Sequence, residues 1–90
     1  MNKTQMVDHV ASKTGLTKKA VADVLEAFMD AVMDTVKKGD SVTFTGFGTF
    51  KPSHRQARTG RNPQTGETIQ IPARTVPVFK AGKAFKDMVK

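Results

Sequence analysis

A stretch of 23 residues in the second half of the chain cannot help to build a hydrophobic core, and this constrains the fold more than any other feature. Residues 53–75 contain four arginines, and their only apolar side chains are Ala57, Ile69, Ile71 and Ala73. Residues 60–66 read GRNPQTG, which is typical of a turn, and the segments on both sides can be extended. The stretch therefore predicts a long two-stranded β-ribbon, called the arm below, that leaves the body of the protein.

The residues before the arm predict two helices. The first helix should begin with a capping pair formed by Asn2 and Gln5, and it should end at Gly15, which can adopt the left-handed conformation of a helix C-cap. Thr17 is a candidate N-cap for a second, long amphipathic helix, in which apolar residues recur every three or four positions until Gly39. Residues 1–40 should therefore form a helical hairpin that acts as scaffold and dimerisation element.

The remaining residues outside the arm predict a sheet and a short helix. Residues 41–45 alternate polar and apolar side chains, Gly46-Phe47-Gly48 suits a tight turn, and residues 49–51 are extended again. Residues 76–79 should return as a strand whose Pro77 favours the sheet edge, and a helix from about Ala81 should turn Phe85, Met88 and Val89 toward the body. The expected fold class is α+β in one domain, residues 1–90. It combines a helical hairpin, a three-stranded antiparallel sheet at 41–80 carrying the arm at about 53–75, and a C-terminal helix at 81–90.

The 67 residues outside the arm are few for an independent core. A body of this size buries only about 60% of its unfolded surface, and the chain has no cysteine for a disulfide or a thiolate metal site. Because six phenylalanines need cover, we expect an obligate two-fold dimer with two arms. The alternative is an intrachain core. The side chains expected between subunits are Val24, Phe28, Val32, Phe44, Phe47, Phe50 and Phe79.

The net positive charge lies entirely in the second half of the chain. Residues 1–40 contain six basic and six acidic residues, whereas residues 41–90 contain nine basic residues and two acidic ones, Glu67 and Asp87. The whole net charge of +7 therefore lies in the half that carries the arm. This segregation favours a surface for polyanions over a merely solvated lysine-rich surface.

Neither catalysis nor membrane insertion is indicated. Glu26, Asp30 and Asp34 lie four residues apart on one helix, but no histidine accompanies them, and His54 has no partner in sequence. An ordinary solvated face explains these carboxylates, so we expect no metal and no cofactor; a nuclease using Asp30 and Asp34 is a minor alternative. No apolar run exceeds three residues, which excludes a membrane-spanning helix and a secretory signal.

An arginine-rich ribbon has the width to enter a groove of duplex DNA, and arginines suit phosphates and the electronegative minor groove. Pro63 lies in the expected turn at the tip. A rigid, exposed, apolar residue there could act as a wedge between base pairs, but it could equally serve only to shape the turn.

The order of these motifs resembles the histone-like protein HU family, bacterial DNA-bending proteins that include integration host factor. The resemblance covers residues 2–90 and is densest in Gly46-Phe47-Gly48-Thr49-Phe50, in Arg55, Arg58 and residues 60–66, and then in Pro72-Ala73, Val76-Pro77 and residues 79–83. It implies an intertwined dimer with two β-arms in the minor groove and Pro63 as the intercalating wedge. The other DNA contacts that it implies are Arg55, Arg58, Arg61, Asn62, Gln64 and Arg74 in the arm, and Lys3, Lys80, Lys83, Lys86 and the amides around Gly46 and Gly48 on the body.

The expected function is therefore that of a nucleoid-associated architectural protein in the bacterial cytoplasm. It should bind double-stranded DNA as a homodimer with little sequence specificity, and it should bend, wrap and compact the duplex without catalysis. Two binding alternatives stay open. One is a sequence-specific bender like integration host factor, acting as half of a heterodimer with a paralogue. The other is an RNA-binding protein, which the absence of Tyr and Trp for base stacking makes secondary.

Overall fold

The computed structural model describes all 90 residues of the chain. Residues fall into two compact units, Met1–Asp34 and Thr35–Lys90. The secondary structure confirms the α+β class, with helices first, then an antiparallel sheet with its ribbon, and a short C-terminal helix. Along the chain the elements are α1 (Lys3–Thr14), α2 (Lys18–Lys37), β1 (Val42–Phe44), β2 (Gly48–Arg55), β3 (Arg58–Arg61), β4 (Thr68–Ile71), β5 (Arg74–Ala81) and α3 (Lys83–Met88).

The predicted helix caps are confirmed. Asn2 Oδ1 accepts a hydrogen bond from the Gln5 amide at 2.9 Å, and Gln5 Oε1 accepts one from the Asn2 amide at 2.9 Å, which closes the capping box. Gly15 ends α1 at φ 76°, a left-handed conformation that glycine adopts without strain. Thr17 caps α2, since its Oγ1 accepts a hydrogen bond from the Ala20 amide at 3.1 Å.

The buried core of the single chain is very small. Val7 and Ala11 of α1 and Val21 of α2 are its only buried hydrophobic side chains, and they pack together in the first unit. Val10, Ala22 and Leu25 lie against them and stay partly exposed. A core of three side chains is far below what a folded domain of this length needs, because burial of apolar area is the main stabilising contribution.

The sheet has the strand order β1-β2-β5, and both pairings are antiparallel. β5 is an edge strand, as Pro77 predicted. Pro52 of β2 lies directly opposite Pro77, and neither residue has an N–H to donate. An antiparallel ladder accommodates two facing prolines only at a non-hydrogen-bonded pair, where the backbone nitrogens point away from the partner strand.

The helix α3 is attached to the turn between β1 and β2. The Gly82 amide donates to the Phe47 carbonyl at 2.8 Å, and the Phe85 amide donates to the Gly46 carbonyl at 3.0 Å. A Cβ atom on Gly82 would lie 2.7 Å from the Gly46 carbonyl carbon, so this approach requires glycine. The Phe85 ring stacks on that of Phe47, with centroids 5.6 Å apart.

The expected orientation of the last residues is wrong in part. Phe85 does pack on the body, but Met88 is 85% and Val89 is 74% exposed. The reason is the length of α3, which spans six residues and is held through its first turn, so its end extends beyond the contact. None of the three helices combines the length and the hydrophobicity that crossing a membrane requires.

Candidate nucleic-acid interface

The arm is formed by the continuation of β2 and β5 away from the sheet. Their ladder extends to Arg55 opposite Arg74, and β3 and β4 then form a second antiparallel ladder that runs outward from Arg58 opposite Ile71. Two residues on each strand, at 56–57 and 72–73, lie between the two ladders. Because the unpaired numbers are equal, no residue is inserted and the ribbon keeps a single register. The predicted arm is thereby confirmed as two hydrogen-bonded segments.

The tip of the arm is a turn held by Asn62. The Asn62 amide donates to the Glu67 carbonyl at 2.8 Å, and its own carbonyl accepts from the Gly66 amide at 2.7 Å. Asn62 Oδ1 accepts from the Gln64 amide at 2.9 Å, so this side chain helps to build the turn in addition to any contact with a ligand. Pro63 lies at this tip and is exposed, as a wedge would have to be.

The strand register divides the sheet into two chemically different faces. Directly paired residues lie on the same face of a sheet, and the sides alternate along each strand. One face carries Phe44, Phe50 and Phe79. The opposite one, called the cationic face below, consists of Thr43, Thr49, Lys51, Ser53, Arg55, Arg74, Val76, Val78 and Lys80.

Sequence reasoning missed several residues of the cationic face. Lys51 was not among the expected DNA contacts, although it follows Phe50 and must therefore point to the other side of β2. Thr43 and Thr49 were missed as well; their hydroxyl oxygens lie 3.2 Å apart in a cross-strand hydrogen bond. The alternation around Phe50 was the signal that could have found Lys51.

Two arginines face each other at the base of the arm. Arg55 and Arg74 are cross-strand partners, both are exposed, and neither forms an ion pair within the chain. Like charges directly opposite one another destabilise a strand pair. An anion bound beside them would remove this repulsion, which makes the base of the arm a favourable place for a phosphate group.

The lysines expected to contact DNA phosphates on the body differ in whether they already bind another side chain. Lys80 lies on the cationic face, and Lys83 and Lys86 lie exposed on α3. Lys3 on α1 instead forms an ion pair with Glu26. A phosphate contact by Lys3 would therefore compete with a carboxylate that this side chain already binds.

The two glycines of the β1–β2 turn have structural roles that the sequence did not reveal. A Cβ on Gly48 would collide with the Phe79 ring and lie 2.7 Å from the Lys80 carbonyl oxygen. Gly46 adopts φ 85°, where glycine is favoured, and its carbonyl accepts the bond from α3. Contact between phosphates and the amides around these glycines stays a prediction.

Comparison with known proteins agrees with this geometry. The profile of the family described as bacterial DNA-binding protein matches residues 1–90. The chain is 58% identical to DNA-binding protein HU-alpha of Vibrio proteolyticus and 52% identical to that of Escherichia coli, over the full length of each pair. It belongs to this family. The resemblance to HU is thereby confirmed.

Solved HU structures share the fold of this family member. An Anabaena HU–DNA cocrystal structure superimposes with a TM-score of 0.91 at 48% identity, covering 99% of this chain and 97% of that one. HU from Thermotoga maritima superimposes with a TM-score of 0.71 at 31% identity, covering both chains fully.

The side chains expected between HU-type subunits are poorly covered within one chain. Phe47 packs against Phe79 with ring centroids 5.3 Å apart, and Phe50 against Phe79 at 4.8 Å. Yet Phe47 stays 48% and Val24 of α2 61% exposed. Phe28, Phe44 and Phe79 are also exposed, and Val32 and Phe50 are partly buried. These apolar surfaces need a partner to cover them.

Proposed function

We propose that this protein is an architectural DNA-binding protein that acts as a homodimer, binds duplex DNA with little sequence specificity, and bends and compacts it. The observation that carries this proposal is the continuity of the cationic face with the arm. Lys80 and Lys51 on the sheet lead to Arg55 and Arg74 at the base, and the ribbon then extends toward Arg61. A surface of this kind can contact the phosphate backbone of a duplex along the body of the protein and continue with the arm into a groove of the DNA.

Low sequence specificity follows from the chemistry of the arm. Arginine contacts to phosphates carry no sequence information, and the minor groove presents a degenerate pattern of donors and acceptors. Asn62 and Gln64 are the side chains near the tip that suit base edges, and the oxygen of Asn62 already serves the turn. This argument, together with membership in a family of HU proteins, favours the architectural function over a sequence-specific bender or a nuclease.

The homodimer follows from the small core. A chain that buries three hydrophobic side chains while four of its six phenylalanines stay 38–48% exposed gains most of its stability by covering them with a second copy. We assign residues 1–90 to one domain, with residues 1–40 in dimerisation and residues 41–80 in the sheet and arm. Two-fold symmetry then presents two arms to one duplex. We place the protein in the cytoplasm, on the nucleoid.

In the complex, Pro63 is assigned to the wedge that unstacks a base step. Arg55, Arg58, Arg61 and Arg74 hold the groove along the arm, while Asn62 and Gln64 flank the wedge. Phosphates on the body are contacted by Lys80, Lys83, Lys86 and the amides around Gly46 and Gly48, and by Lys3 in competition with Glu26. These assignments are supported by the exposure of Pro63 at the tip and by the arginine pair at the base.

Two measurements test this function. In a salt titration of binding to duplex DNA, a dimer that neutralises roughly 6–9 phosphates should give a log–log slope of about −5 to −8. A slope near zero would contradict duplex binding by charge. In end-labelled DNA, Pro63→Ala should reduce bending, measured by energy transfer, more than it reduces binding, whereas Pro72→Ala should leave the bend intact. Equal bending by Pro63→Ala and the unchanged protein would limit Pro63 to shaping the turn.

A further inference from the structure

The two longest strands of the sheet each have an open edge. β2 and β5 contain eight residues each, and β5 ends the strand order, so no strand of the chain pairs with its outer side. On the other side of the ribbon, β1 covers β2 only up to Phe50, and residues 51–55 have no strand beside them there. Open edges can pair with a strand of another molecule, because their backbone amides and carbonyls are available for hydrogen bonds.

The register shows which residues direct their backbone groups toward these edges. In an antiparallel ladder, pairs that exchange hydrogen bonds alternate with pairs whose N–H and C=O groups point outward. The Gly82 amide donates to the Phe47 carbonyl, and these two residues lie one step beyond the pair of Gly48 with Ala81. The odd-numbered residues of β2 therefore bond to β5, and the even-numbered ones, together with their partners on β5, direct their backbone groups outward.

Both of these outward-facing rows contain a proline. Pro77 lies in the middle of the row on β5, between Thr75 and Phe79. Pro52 is the first residue of the row on β2 that β1 does not cover. A proline has no N–H to donate to a neighbouring strand, and it is found in sheets only where none is required. On the β5 edge the amides of Thr75 and Phe79 remain about 13 Å apart, since a strand rises about 3.3 Å per residue, and no two consecutive outward amides are left.

The beginning of β1 shows how pairing ends beside Pro52. Continuing the β1–β2 register by two residues would place Asp40 opposite this proline, which has no amide to donate. β1 begins only at Val42. Asp40 belongs to the end of α2 instead, where its amide donates to the Thr35 carbonyl at 3.1 Å. The ladder between β1 and β2 therefore ends before it reaches the proline.

The composition of β5 explains why its edge requires such a block. Residues 75–79 read TVPVF, so apart from Pro77 they are all β-branched or aromatic, and none is charged. Short uncharged segments of strand-forming residues pair readily with copies of themselves when they lie at an edge. The strands of the distal ladder, β3 and β4, contain only four residues each, and short edge strands are less suited to such pairing.

We propose that Pro52 and Pro77 prevent the sheet edges of one molecule from pairing with the β5 strand of another copy of this chain, and thereby keep neighbouring molecules separate. The net charge of +7 per chain also keeps copies apart, but salt and DNA phosphates screen this repulsion. A block made by proline does not depend on charge, so it also acts where many copies lie side by side on one duplex. The inference goes beyond the proposed function, because it concerns self-association and does not require that the arm enters a groove.

Restoring the missing amide tests this inference. Pro77→Thr supplies an N–H at the centre of the β5 edge with a residue that favours strands. Pro63→Thr is the matched control, since it makes the same exchange at the tip of the arm, outside any strand. The average molar mass of the free proteins is measured by sedimentation in about 1 M salt, where a Debye length of about 3 Å strongly screens charge repulsion.

The mass of Pro77→Thr should rise by about twofold or more with protein concentration, whereas the unchanged protein and Pro63→Thr should keep a constant mass. A constant mass in folded Pro77→Thr would overturn the inference. Hydrogen exchange then locates the contact: the Thr75 and Phe79 amides should become protected in the associated form, and protection confined to other residues would contradict pairing at this edge.

A second variant tests the block on the opposite edge. Pro52→Thr restores an outward amide on β2 and should also associate, and it decides the question if circular dichroism shows that Pro77→Thr does not fold. Salt slopes on duplex DNA should match the unchanged protein in both variants, since no cation is removed. Constant mass with a steep slope refutes only this inference, whereas a flat slope in the unchanged protein refutes the proposed function and leaves the association result to support the edge block.

Discussion

The arginine pair at the base of the arm allows a prediction in which the free protein and its complex respond in opposite directions. Arg74 lies directly across the ladder from Arg55, and both guanidinium groups are exposed and without an acidic partner. Replacing Arg74 with Gln removes one charge per subunit and leaves Arg55 to face a neutral side chain. The variant should therefore bind DNA more weakly while its free ribbon loses a repulsion.

The two effects differ in size. A homodimer would lose two arm contacts, and each neutralised phosphate contributes about 0.9 to the log–log salt slope, so the slope should become shallower by almost two. The relief of repulsion between two exposed like charges is worth at most about 0.5 kcal/mol, because solvent screens them. The loss in DNA binding should therefore dominate, and the free protein should unfold at the same temperature or slightly higher.

Fluorescence anisotropy with a labelled duplex between about 50 and 200 mM salt gives the slope. The matched control is Lys13→Gln, which removes the same charge from α1, outside the proposed interface. If Arg74→Gln and Lys13→Gln change the salt slope equally, the slope depends only on the net charge of the protein, and the base of the arm does not bind a phosphate. An unchanged slope in Arg74→Gln would refute the assignment directly.

Two further predictions concern the body. Gly48→Ala should lower the free energy of unfolding by about 2–4 kcal/mol in chemical denaturation, because the new methyl group meets the Lys80 carbonyl and the Phe79 ring. Gly66→Ala, where nothing lies within 4 Å, should destabilise the protein less, and equal losses of stability in the two variants would contradict the packing argument. Phe47→Ala should weaken the dimer, so that its melting temperature falls more steeply on dilution than that of the unchanged protein; a melting temperature independent of concentration in both proteins would show that the phenylalanines belong to a core within one chain.

Local signals in the sequence were sufficient to predict the helices, the strands and the arm. The caps at Asn2 and Thr17 depend on side chains within three residues of the amides they serve, so composition and spacing disclose them. The arm was predictable for the opposite reason, since residues 53–75 lack the apolar side chains that a core would need.

Contacts between distant residues were not predictable in the same way. The need for glycine at position 48 arises from Phe79 and Lys80, and the need for glycine at position 82 arises from Gly46. These constraints appear only when the strands are paired in three dimensions. The pairing of Ile69 with Gly60 likewise depends on the register between β3 and β4, which the turn at residues 60–66 does not specify by itself.

A single register determines both surfaces of this protein. Along β2 the residues alternate between the phenylalanine side and the cationic side, so a slip by one residue would turn Arg55 to the phenylalanine side and Phe50 to the cationic side. Two features oppose such a slip. Gly48 is the residue that can lie beneath Phe79, and Pro52 opposite Pro77 fits only where neither nitrogen has to donate. Because the arm continues the same register without an inserted residue, these contacts in the sheet also determine which side chains share a face at the far end of the arm.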